Sequence, residues 1–270
     1  MIVRFWPAAV FFLAGLLTAN PSGDQRIISL SPSLTKMIYL LEADDQLVGR
    51  TSFSNAAGED KEVVASQMNV NTEKIVSMKP DLVITTDLTP AREIRALREV
   101  GVEVRVLDLP VSFDALCDQF VEMGRLTGKE TEAAAIVDRE KARLERLRET
   151  IPGDSEPRIF MQLGAKPLFS AIPETFMNDY IRLAGGVNIV SDVTQGSISR
   201  ESVLIRDPEV ILIVMMGLTG REEKQNWQSY PGLSAAENNK IFLIDEDQTS
   251  SPTPVTFVNA VEEIIDLIYP

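Results

Sequence analysis

Glu73-Lys74-Ile75-Val76-Ser77-Met78-Lys79-Pro80-Asp81-Leu82-Val83-Ile84 returns in the second half of the chain as Glu201-Ser202-Val203-Leu204-Ile205-Arg206-Asp207-Pro208-Glu209-Val210-Ile211-Leu212. In both copies a glutamate is followed seven residues later by proline, then by an acidic residue, then by an apolar run. A carboxylate is favoured at a helix N-terminus by the macrodipole, and proline stops the short helix. A continuous apolar run then reads as a parallel strand covered on both faces. The same supersecondary unit therefore occurs twice, and such a repeat predicts two lobes of like construction.

The flanking sequence extends the pattern in both directions. Arg26 to Leu30 reads as a buried strand closed by Ser31-Pro32-Ser33, with a helix over Leu34 to Leu41. Short strands are expected at Gln46 to Gly49, Asp81 to Thr85 and Val102 to Leu107, with a helix over Ala91 to Val100 stopped by Gly101. From Phe113 to about Arg148 the sequence favours helix only, with one break at Thr127-Gly128. A helix of some 20 residues spans roughly 30 Å, the height of a small domain. Strands at Arg158 to Leu163, Val210 to Val214 and Lys240 to Ile244 follow. Helices are expected over Thr175 to Ala184 and Thr256 to Ile268, the first capped by Gly185-Gly186. Alternating strand and helix means parallel sheets with covering helices. The expected fold is α/β: two Rossmann-like lobes with mainly parallel central sheets, joined by a single long backbone helix. The boundaries are 20–111 for the N-terminal lobe, 112–151 for the linking helix and 152–270 for the C-terminal lobe.

Composition narrows the chemistry. Among 270 residues there is no histidine and one cysteine, and the formal net charge is −14. Histidine-based acid–base catalysis and His-ligated zinc or haem are thereby excluded, as is an intramolecular disulfide. The acidic balance argues against nucleic acid, which needs clustered Lys and Arg. Cys117 lies among Phe113, Leu116, Phe120 and Val121 and reads as a buried packing thiol. Arg4, the apolar run Phe5 to Leu17 and the small residues Thr18-Ala19 form the pattern of a secretory signal over 1–19, too short for a comfortable membrane span. No cysteine stands at the cleavage region, so the expectation is an exported protein without a lipoprotein anchor.

Four fragments in this order carry a resemblance: Arg26-Ile27-Ile28-Ser29-Leu30-Ser31-Pro32-Ser33-Leu34-Thr35; Asn71-Thr72 running into the first repeat; Ala184-Gly185-Gly186-Val187-Asn188-Ile189; and Ile198-Ser199-Arg200-Glu201-Ser202-Val203. Together they resemble the helical-backbone periplasmic binding proteins that serve ABC importers of cobalamin, ferric siderophores and haem. The resemblance implies ligand capture between the lobes, little hinge motion, and delivery to a permease dimer in the periplasmic space. It also implies that Glu73 and Glu201 match glutamates that dock onto arginines of the two permease subunits. On sequence alone, both carboxylates are equally well explained as helix N-terminal charges.

Ligands of open α/β sheets meet the loops at the carboxyl ends of strands. The residues expected there are Ser31, Pro32, Ser33, Phe53, Met68, Asp87, Lys166, Met215, Met216 and Asp247. Relatives that bind cobalamin present tryptophans in the cleft, whereas this chain has only Trp6 and Trp227. Anionic ferric siderophores would want basic groups, and the loops offer Arg50, Arg200 and Lys166 among more numerous carboxylates. An uncharged or cationic chelate such as a corrinoid is therefore favoured over a ferric siderophore or haem. The expected partners are this ligand and the permease dimer, with no nucleic acid. The protein itself is expected to be a monomer with no cofactor. An enzyme using the same cleft finds no histidine, glycine-rich phosphate loop or nucleophile elbow in its support. An exported sensor or scavenger of the same fold is the other alternative.

Overall fold

A computed structural model describes residues 25–52, 60–66, 69–215 and 217–270. The expected signal segment, Phe53, Met68 and Met216 lie outside the described residues. The N-terminal lobe runs β1 (Ile27–Ser29), α1 (Pro32–Leu40), β2 (Leu47–Thr51), β3 (Glu62–Ala65), α2 (Thr72–Ser77), β4 (Leu82–Thr86), α3 (Ala91–Glu99) and β5 (Val104–Leu107). Its five strands are all parallel, in the order β3-β2-β1-β4-β5.

Two helices follow, α4 (Phe113–Thr127) and α5 (Glu130–Glu149). The expected single linking helix is thus divided at the Thr127-Gly128 break. Gly128 adopts φ 72°, and Lys129 donates its N–H back to the Gly124 carbonyl at 2.6 Å, a left-handed C-cap that turns the chain round. The two helices lie antiparallel. Lys141 pairs with Asp114 at 2.8 Å near one end. At the other, a Cβ on Gly124 would stand 2.6 Å from that of Ala133, so only glycine lets the backbones approach this closely. The N–H of Phe113 donates to Asp179 in the C-terminal lobe, while the Thr127 carbonyl accepts from Gln46 in the N-terminal lobe. Both helices therefore span the lobes, α4 returning toward the N-terminal lobe and α5 crossing to the C-terminal one.

The C-terminal lobe comprises β6 (Arg158–Ala165), β7 (Leu168–Ser170), α6 (Phe176–Leu183), β8 (Val187–Asn188), α7 (Arg200–Arg206), β9 (Val210–Val214), α8 (Gly217–Gln228), α9 (Ser234–Glu237), β10 (Ile241–Ile244), α10 (Glu246–Ser250) and α11 (Pro254–Ile268). Its sheet runs β10-β9-β6, with antiparallel β7 and parallel β8 sharing the far edge of β6. No helix of the described residues is long and apolar enough to cross a membrane.

Alternation along each strand sends side chains to two cores. Ile27 and Ile84 face inward, and Ile28 and Val83 join an outer N-terminal core with Ile75, Leu97 and Val104. In the other lobe Val210 and Leu212 face inward, and Ile211 and Ile213 meet Phe160, Val203 and Trp227. The inward faces of both sheets enter one continuous core with α1, α4, α5 and α11. Cys117 is buried in it, and burial pushes its thiol up to about 12, so it is a packing residue as expected.

The repeat is structural as well as sequential. Asn71 accepts the N–H of Lys74 at 3.0 Å, and Ser199 accepts that of Ser202 at 3.1 Å, capping α2 and α7. Both helices end at a residue of positive φ before proline, Lys79 at 48° and Asp207 at 41°. The acid after that proline then takes the backbone N–H of the arginine opening the neighbouring strand: Asp81 from Arg26 at 2.8 Å, and Glu209 from Arg158 at 2.9 Å. Each arginine also caps carbonyls at the end of its short helix.

Candidate functional site

In each sheet the order reverses between the two strands that the repeat makes equivalent, β1/β4 and β6/β9, and ligands gather outside the carboxyl ends at such points. A cavity of about 480 Å³ lies at the first. Ser31 and Pro32 after β1 line it, with Thr86, Leu88 and Thr89 after β4, and Glu246, Asp247, Ser250 and Ser251 of the C-terminal lobe close it. It is an interlobe cavity, within the size range of small-molecule sites. Seven hydroxyl side chains and two carboxylates line it; among the described residues no lysine, arginine or aromatic ring does.

The wall from the C-terminal lobe is tied down. Lys36 of α1 donates to the Asp247 carbonyl at 2.7 Å and pairs with its carboxylate at 2.8 Å. Lysine 36 is mostly buried and Asp247 more than half exposed, so the pair is worth about 1 kcal/mol. Lys36→Ala is expected to lower the melting temperature by about 2–4 °C in low salt, and by less at high ionic strength where the pair is screened. A melting temperature that falls equally in both salts would remove this pair from the interlobe contact.

A second cavity, of about 420 Å³, lies at the corresponding point of the C-terminal lobe, lined by Ala165, Lys166, Met215, Thr219, Glu222, Glu223 and Asn226. Behind it sits a polar network in an otherwise apolar core. Gln162, fully buried, donates to Glu223 at 2.6 Å and accepts from the indole N–H of Trp227 at 2.6 Å. Arg200 donates to the same Glu223 carboxylate, and its guanidinium lies 4.6 Å from the centroid of the Trp227 ring. Burial works to raise the Glu223 carboxyl, but the hydrogen bonds from Gln162 and Arg200 outweigh it and hold the group below its ordinary range.

Glu73 and Glu201 occupy the first turns of α2 and α7, both exposed to solvent. The N–H of Glu201 itself and the Ser199 hydroxyl lower the Glu201 carboxyl, keeping it charged into the acid range.

Of the residues expected from sequence, Ser31, Pro32 and Asp247 line the first cavity and Lys166 and Met215 the second. Ser33 is drawn into a hydroxyl pair with Ser31 at 3.0 Å, and Asp87 is exposed; neither is among the described residues lining these two cavities, although Thr86 and Leu88 beside Asp87 line the first. The loop cations do not face the first cavity. Arg50 is buried in β2 and donates to the Thr51 carbonyl, and Arg200 is engaged by Glu223 and Trp227. Trp227 is fully buried, so it supplies no cleft aromatic surface. The acidic turn Asp245-Glu246-Asp247 gathers no metal site: Asp245 caps α10 by accepting from Asp247, and among the described residues no cluster of three metal-binding groups occurs. The hydroxyls Ser66, Thr89, Ser250 and Ser251, and Glu222, Glu223 and Asn226 of α8, were not anticipated. Sequence carries little signal for them, since surface-type residues become a site only when elements distant in sequence pack together.

Residues 27–248 match the family described as periplasmic binding protein. The vitamin B12-binding protein of Vibrio cholerae serotype O1 is 28% identical over 269 residues, covering 98% of this chain and 96% of that protein. The structure of the periplasmic vitamin B12 binding protein of Vibrio cholerae superposes with a TM-score of 0.75 at 28% identity, covering 90% of this chain and 96% of that one. A possible iron-binding, periplasmic solute-binding protein from Staphylococcus epidermidis gives a TM-score of 0.79 at 27% identity, covering 91% and 99%.

Proposed function

Since this chain belongs to the periplasmic binding protein family, we propose that its cleft takes an uncharged or cationic chelate of the corrinoid kind. The protein is a periplasmic substrate-binding protein that delivers a small ligand to an ABC permease, and its family is non-catalytic. In the proposal Ser31, Pro32 and Asp247 contact the ligand from the first cavity, Lys166 and Met215 from the second. The loaded protein meets the permease dimer as a monomer, through Glu73 and Glu201.

The observation that carries the ligand class is the charge of the interlobe cavity. Hydroxyls donate and accept equally well, and suit the amide-rich periphery of a corrinoid. An anionic chelate would instead bring its charge against the carboxylates of Glu246 and of Asp247, the latter paired with Lys36, while no lysine or arginine lines the cavity among the described residues. The 28% identical vitamin B12-binding protein of Vibrio cholerae supports the same choice. Lys166 favours a second reading, a ferric siderophore with one anionic arm reaching the second cavity.

Parallel titrations with cyanocobalamin, haem and an anionic ferric catecholate, followed calorimetrically and by absorption, test the choice. Saturable one-to-one binding of cyanocobalamin, with the ferric catecholate at least tenfold weaker, is expected. Tighter binding of the catecholate or of haem would overturn the corrinoid assignment and leave family membership untouched.

A further inference from the structure

The two docking glutamates share a position in the repeat but differ in what precedes them. In the N-terminal lobe Glu73 follows Thr72; in the C-terminal lobe Glu201 follows Arg200. Arg200 opens α7, and its side chain leaves that helix to reach Glu223 on α8, a residue that lines the C-terminal cavity. The guanidinium is held by the Glu223 carboxylate and by the face of Trp227, two partners that Gln162 ties to each other. One of its nitrogens, Nη1, is buried and finds no acceptor among the described residues. An unsatisfied donor in this position leaves the tether dependent on the Glu223 contact, because no other acceptor shares the load.

We infer that Arg200 is a positioning residue, linking the docking carboxylate of the C-terminal lobe to the ligand cavity through Glu223. The wall of the cavity and the first turn of α7 then move as one piece. A group in the cavity that draws on the Glu223 carboxylate changes what holds Arg200, and so shifts Glu201 on the next residue. Thr72, at the matching position of the N-terminal lobe, is too short to make such a tether. Docking through Glu73 is therefore indifferent to the state of the cavity, and docking through Glu201 is sensitive to it. This rests on the docking reading of the two glutamates.

The test is a pair of double-mutant cycles on the full mature protein, reading affinity for its own ABC permease held in lipid nanodiscs. Glu223→Gln keeps the shape of the side chain and removes the charge that holds Arg200. It is expected to weaken docking about fivefold to tenfold, the usual size of coupling within one hydrogen-bond network. On a Glu73→Ala background the same loss is expected, and on a Glu201→Ala background none. A merely destabilising change would act alike on both backgrounds, and that result would overturn the inference, as would no effect on either. Arg200→Lys, which keeps the charge and loses the planar stack, runs the same cycle if the glutamine variant does not fold. If Glu201→Ala itself leaves docking unchanged, it is the docking reading that fails, which the single variant reports separately.

Discussion

Replacing Glu73 and Glu201 together by alanine is expected to abolish delivery to the permease while leaving ligand binding intact. Both carboxylates are exposed, on helices of six and seven residues whose caps, Asn71 and Ser199, are separate side chains. Removal of either should cost the fold little, since each is one solvent-exposed charge at a helix N-terminus. At an interface the arithmetic differs. Truncating one partner of a hydrogen-bonded charge pair costs about 2–5 kcal/mol, so each single variant should weaken docking by at least about thirtyfold, at 1.4 kcal/mol per factor of ten. The double variant, with the sites on separate lobes, should lose roughly the product. Permease-stimulated uptake into proteoliposomes would vanish, while calorimetric ligand binding and the melting temperature would hold. Undiminished uptake by the double variant would favour a sensor or scavenger of the same fold over an importer component.

The second large effect concerns the fold. Phe257 of α11 is fully buried and lies between two rings, Tyr180 of α6 at 4.2 Å and Phe113 of α4 at 4.8 Å, both stacked at shallow angles. Tyr180 in turn donates its hydroxyl to the Thr249 carbonyl of α10, whose neighbour Ser250 lines the interlobe cavity. Phe257→Ala is expected to destabilise the protein by about 3–5 kcal/mol, the range for a buried phenylalanine truncated to a cavity. Against the 5–15 kcal/mol typical of a whole domain, that is a drop in melting temperature of roughly 10 °C. Phe257→Leu, which refills most of the volume, should recover more than half of the loss. A loss of less than about 1 kcal/mol in the alanine variant, measured by denaturant unfolding, would show that the stack does not hold these helices together.

The legible parts of this structure are those where one side chain's environment is set locally. Ile27-Ile28 and Val210 to Val214 announce buried parallel strands because both their faces are covered. The Thr127-Gly128 break is readable because glycine ends helices for reasons of its own backbone. What it cannot reveal is that the chain folds back there, since that depends on Gly124 meeting Ala133 across the turn. The edge strand β3 escapes because half of its residues are exposed and polar in setting. Helix α8 escapes for a deeper reason: it has no apolar stripe, and it buries Glu223 and Trp227 against partners far away in sequence. The same distinction governs the site. Ser31, Pro32, Lys166, Met215 and Asp247 follow from the rule about strand ends. Glu223 follows only from the packing of α8 against Gln162 and Arg200 within its own lobe, and the hydroxyls Ser250 and Ser251 only from how the lobes face each other.

The continuous core has one more consequence. Ile27 and Ile84 from one sheet, and Met161 and Leu212 from the other, belong to the same buried cluster, closed by α1, α4, α5 and α11. Cutting the chain between the lobes would therefore expose the inner face of each sheet to water rather than release two finished units. Neither half is expected to fold on its own, despite the duplicated architecture. The shared core predicts unfolding as a single cooperative unit, in which a ligand held by either wall of the cleft raises the stability of both halves together.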